Sequence, residues 1–248
     1  HALLMNTTGC KNTASGYVAL KQNTTGSNNS AFGVLALEDN TTGCHNTAIG
    51  FMSLANNTTA RRNTSSGSYA MMNTTSGAYN TANGHGALLS NTSGPSNTAI
   101  GSYTLEANTT GACNTAVGRN ALGANTTASD NVAVGFRTLF VSTTGSENVA
   151  IGQRSMCSNT TGATNVAVGQ QTLVKNTTAA NNTAIGKSSL HDNTTGAANT
   201  GVGRNTLNSN TTGSNNVAVG CSALLETTTG SNNIAIGQCA GAANTTGS

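Results

Sequence analysis

Apolar and polar positions along this chain recur every seventeen residues, and no apolar run repeats with the spacing of an amphipathic helix. One clean unit, Asn210–Glu226, reads N-T-T-G-S-N-N-V-A-V-G-C-S-A-L-L-E. Counting from Asn6, fourteen such units follow one another to Ala243 without insertion or deletion, with partial units at 1–5 and 244–248. Place nine is Ala except at Ser65 and Gly201. Place fifteen is Leu or Met except at Gly241, and place ten is Val or Ile in ten units. Thr at place two, Asn at place seven and Gly at place eleven never vary. A period held this strictly predicts stacked coils, one per unit. Seventeen residues are too few for a helical hairpin, whereas Thr, Val and Ile between glycines suit short strands and tight turns. The expected fold is all-β: a parallel β-solenoid (β-roll) of fourteen 17-residue coils, without notable helices, forming one repeat domain over 1–248.

The invariant places predict the interior. Ala at place nine faces a narrow core, and Leu or Met at place fifteen fills most of it. Asn at place seven forms an amide ladder between coils, as at Asn114, Asn131, Asn148, Asn165 and Asn182. Gly at place eleven, as at Gly118, Gly135, Gly152 and Gly169, suits positive φ or close backbone approach. Alternation then turns places eight and ten outward. They form a flat β-branched column that is a candidate assembly face: Val132, Val134, Val149, Ile151, Val166, Val168, Val217, Val219, Ile234 and Ile236. The reverse assignment would bury the branched residues and leave an alanine column in water.

The Asn-Thr-Thr stretch admits three readings. If place two points inward, places one and three make a regular outer face able to order ice or carry glycans. Its residues would be Asn108, Thr110, Asn125, Thr127, Asn159, Thr161, Asn176, Thr178, Asn193 and Thr195. The triplet also matches the N-glycosylation acceptor. Thr74, Ser142 and Thr227 replace the place-one Asn, removing the acceptor but keeping a small hydrogen-bonding group. That pattern favours stacking over glycosylation, and a ladder that closes the turn explains it equally well.

Composition narrows the function classes. Charged residues are 7% of the chain and confined to the variable places, so the net charge of +3 argues against nucleic acid as a partner. Arg119, Arg137, Arg154, Lys187 and Arg204 fall at places twelve and thirteen and read as a solvated basic edge. The four histidines occupy different places in distant coils, and no carboxylate recurs beside a His or Ser; neither a metal site, a cofactor site nor a catalytic constellation is expected. Of six cysteines, only Cys221 and Cys239 lie in adjacent coils near enough to pair. No signal peptide is evident, and no apolar run is long enough to span a bilayer, so membrane insertion is not expected.

The pentads Asn46-Thr47-Ala48-Ile49-Gly50, Asn131-Val132-Ala133-Val134-Gly135 and Asn148-Val149-Ala150-Ile151-Gly152 resemble repeats in the head domains of trimeric autotransporter adhesins. Similar repeats occur in bacterial surface and phage tail-fibre proteins. The resemblance implies a left-handed parallel β-roll whose outward branched residues, here Val132, Val134, Val149 and Ile151, pack around a three-fold axis. The adhesin unit is shorter than seventeen residues.

The expected role is non-enzymatic: a segment of an extracellular or cell-surface fibre or adhesin stalk, acting through self-association and surface display. Chain ends that fall inside a unit, without a polar cap, are consistent with a longer array. Ice binding through a flat Thr-rich face is the alternative, and a glycan-decorated filament a third.

Overall fold

The computed structural model of the protein describes residues 1–247 and is an all-β parallel solenoid. It contains two compact units, the first covering His1–Thr127 and the second beginning at Ala128. The first holds strands β1 (Thr13–Ser15) to β7 (Thr115–Val117), and the second β8 (Val132–Val134) to β14 (Ile234–Ile236). Each strand is places eight to ten of one coil. Within each unit neighbouring strands pair parallel with a register of seventeen, as in Ala14↔Ala31 and Ala150↔Ala167. The ladder runs from the place-eight N–H to the next coil's place-seven carbonyl, and from the place-eleven N–H back to the previous coil. Val166 donates to Asn182 at 2.8 Å and Gly169 to Ile151 at 2.7 Å.

Ala at place nine and Leu or Met at place fifteen form the core. Ala133, Ala150, Leu122, Met156 and Leu173 are wholly buried. Burying one such Leu contributes roughly 1.5–3 kcal/mol. Place fourteen, always Ala, Ser or Thr, completes the interior, and its hydroxyls turn back onto the backbone. Thr138 Oγ1 donates to the Gly152 carbonyl at 2.9 Å, and Ser155 Oγ to that of Ala167 at 3.2 Å.

Between strands the chain closes through consecutive tight turns. The place-fourteen N–H returns to the place-eleven carbonyl, as from Ser155 to Gly152 at 3.1 Å, and the next coil's place-one N–H returns to place fifteen, as from Asn159 to Met156 at 3.1 Å. Such turns put positive φ on residues that are rarely found there. Places six, thirteen and fifteen are left-handed, for example Glu147 (φ 59), Arg154 (φ 57) and Leu173 (φ 50). A left-handed non-glycine residue costs about 1–2 kcal/mol. At place fifteen burial of the side chain offsets that cost, which is why Leu persists where backbone strain alone would select Gly. Place eleven leaves no such choice. Gly152 has φ 124, and a Cβ there would overlap the carbonyl of Gly169 in the next coil.

Candidate functional site

The solenoid displays two kinds of outward column. The first is places eight and ten. Val132, Val134, Val149, Val166, Val168, Val217 and Val219 are half-buried, while Ile151, Ile234 and Ile236 are exposed. In the first unit the same column carries Thr, or Ser at Ser30, at place eight, with Ile49 at 46% and Ile100 at 42% exposure at place ten. Strand backbone holds these side chains at a spacing of ~4.8 Å from coil to coil. Ser66 and Asn83 interrupt the column in the first unit, and nothing interrupts place ten from Val134 to Ile236.

The Asn-Thr-Thr segment is arranged differently from the sequence-based expectation, and the correction is specific. Asn108, Asn125, Asn159, Asn176 and Asn193, expected on an outer face, are completely buried, while the place-two Thr expected inside is half-exposed. Strict alternation requires extended backbone, and among the described residues only places eight to ten form strands. From place one to place seven burial repeats every third residue. The N–H groups of Thr160, Thr161 and Gly162 all converge on the Thr177 carbonyl, so the backbone bends there instead of running as a strand.

Each buried amide is committed internally. Asn176 Nδ2 donates to Asn159 Oδ1 at 2.8 Å and to the Ala179 carbonyl at 3.1 Å, and Asn193 repeats this toward Asn176 and Gly196. A glycan on such a nitrogen has no room in the folded coil. Of the residues proposed for the ice or glycan face, Thr110, Thr127, Thr161, Thr178 and Thr195 at place three do lie exposed. The half-buried place-two Thr beside them hydrogen-bonds along the stack, Thr160 Oγ1 to the Thr177 carbonyl at 3.0 Å and Thr177 Oγ1 to that of Thr194 at 3.2 Å. Its invariance has a structural reason that the sequence showed without explaining.

The place-seven amides form a second axial ladder. Asn148 donates its backbone N–H and its Nδ2 to Asn131 Oδ1 at 3.0 and 3.2 Å, and Nδ2 also reaches the Gly162 carbonyl at 2.9 Å. Asn165 and Asn182 repeat the pattern, and Asn114 does so onto Asn97. Gly118, Gly135, Gly152 and Gly169 follow at φ 126, 134, 124 and 140.

Charge and reactive groups stay on the edges. Lys175 and Asp192 pair at 2.9 Å. Partial burial alone would raise the Asp192 pKa, but hydrogen bonds from Lys175 and His191 outweigh it and hold the carboxyl below its ordinary value. All six cysteines are free thiols, Cys221 and Cys239 included. A hydrogen bond from Arg204 at 3.7 Å leads the groups that lower the Cys221 pKa. Among the described residues no cluster of three His, Cys, Asp or Glu side chains could hold a metal ion. Nor is any helix there long and apolar enough to cross a membrane. No protein family, curated protein or solved structure matches the chain.

Proposed function

We propose that this chain is a non-enzymatic structural segment of an extracellular or cell-surface fibre, associating with copies of itself through the places-eight-and-ten column. The observation that carries this reading is the in-register row of Val and Ile at place ten of the second unit, unbroken from β8 to β14 and flanked at place eight by Val, Ile or Thr, left accessible along the strand face. Branched apolar side chains stiffened by strand backbone lose little entropy when a partner covers them. A contiguous apolar surface of this kind marks an association site. The resemblance of the Asn-Val-Ala-Val-Gly pentads to adhesin head repeats points the same way.

Val134→Lys with Val168→Lys places charges where the contact would be desolvated. Under this reading the parent forms oligomers or filaments in sedimentation and electron microscopy, and the double variant remains folded by circular dichroism yet loses them. Unchanged assembly would sink the proposal.

Ice binding is a second reading, and one observation favours it. The place-three threonines present exposed side chains, and among the described residues the hydroxyls of Thr161, Thr178 and Thr195, in consecutive coils, take no side-chain partner. Under that reading Thr127→Tyr with Thr161→Tyr abolishes thermal hysteresis while the lysine variant retains it. Under the fibre reading the tyrosine variant assembles normally.

A further inference from the structure

The second unit carries cations whose charge the fold leaves unanswered. Its described ion pairs use Lys175, His191 and Asp192, and none involves Arg137 or Arg154. Those two arginines occupy place thirteen of successive coils, both left-handed, at φ 53 and 57. The Arg154 N–H donates to the Phe136 carbonyl at 3.0 Å, fixing the two coils against each other at this corner. Between the side chains opens a cavity of about 210 Å³ lined by Arg137, Phe140, Val141, Arg154, Cys157 and Ser158.

The lining has a definite chemistry. It contains two guanidinium groups, one hydroxyl and no carboxylate. The Arg137 guanidinium lies 4.3 Å above the Phe140 ring. Stacking of this kind engages the flat face of the guanidinium and leaves its in-plane N–H donors directed elsewhere. Arg154 is exposed and has no acidic partner among the described residues. Two like charges one coil apart repel each other, and a doubly charged group between them removes that repulsion while accepting forked hydrogen bonds from both. A single carboxylate carries half the charge and fewer acceptor directions.

We propose that this corner is an oxyanion site: Arg137 and Arg154 clamp a tetrahedral dianion, the sulfate or phosphate group of an ester, with Ser158 near enough to the cavity to add a hydroxyl donor. The assignment does not depend on how the molecule assembles.

Binding is measured by calorimetry at constant ionic strength, using inorganic sulfate, glucose 6-sulfate and glucose 6-phosphate, with chloride as the reference anion. Saturable binding of at least one ester is expected. Arg154→Gln should weaken it at least tenfold, and Arg154→Lys should fall in between, because an ammonium keeps the charge but loses the fork. Lys187→Gln, on the same edge but outside the cavity, should leave it unchanged. Circular dichroism of each variant confirms that the coils remain stacked. A preference between the two esters names the source of the anion. Absence of saturable binding overturns the proposal, as does equal weakening by Lys187→Gln, which would mean a diffuse response to charge.

Discussion

At the residue scale, the informative positions are those where a ladder fails. The place-one amides pass hydrogen bonds from coil to coil until Thr or Ser replaces Asn. Asn57 Oδ1 and Asn210 Oδ1 are buried without a partner, and in each case the next coil carries Thr, at Thr74 and Thr227. Threonine is too short to supply the missing donor, and an orphaned buried acceptor costs about 1–3 kcal/mol. Thr74→Asn should therefore stabilise the first unit by about 1 kcal/mol, seen as a raised thermal midpoint. Asn176→Thr should do the opposite, orphaning Asn159 Oδ1 and costing about 1–3 kcal/mol. If both substitutions leave the midpoint unmoved, the ladder contributes nothing to stability and the place-one asparagines need another explanation.

Elements here are single coils, and most of what defines one was legible in the chain. The period, the buried Ala and Leu columns and the place-eleven glycine all follow from places that refuse variation. What the sequence hid was the path from place one to place seven. Asn and Thr serve equally well on a wet face and in a buried polar ladder, so residue type did not reveal direction. Alternation was the wrong rule for backbone that bends at every third residue. The left-handed backbone at places six, thirteen and fifteen was equally hidden, because residues as unlike as Glu147, Arg154 and Leu173 occupy it. Of the surfaces, the branched column at places eight and ten could be read directly, whereas the Arg137–Arg154 cavity depends on a corner geometry that no motif encodes. The Leu column supplies the test at this scale. Leu173→Ala should cost about 2–5 kcal/mol through the cavity it leaves. Leu173→Asp should open the neighbouring coils to proteolysis, because a buried carboxylate there has no counter-charge. Protease resistance equal to the parent's would remove Leu173 from the core.

At the scale of the whole molecule, stability is a sum over neighbours. A coil contacts the coils beside it through strand pairing, the two Asn ladders and the Thr hydroxyls, and nothing in either unit relies on distant parts of the chain meeting. Charge plays a minor part: the Lys175–Asp192 pair is largely solvent-facing and worth little. Removing residues 159–175, one complete coil, joins Ser158 to Asn176 and leaves every place in register. That deletion should fold and melt within a few degrees of the parent. Removing only residues 159–166 should instead abolish cooperative melting in the second unit.

That register has a consequence for how such a chain can change over time. Because pairing always matches residue i with i+17, unequal exchange between two copies of the coding sequence yields a working product only when whole units are gained or lost. Length is therefore the cheapest trait for this protein to vary, in steps of one coil, while the composition of any single coil is held by both of its neighbours. A population of related chains should differ first in how many coils they have, and only later in what a coil contains.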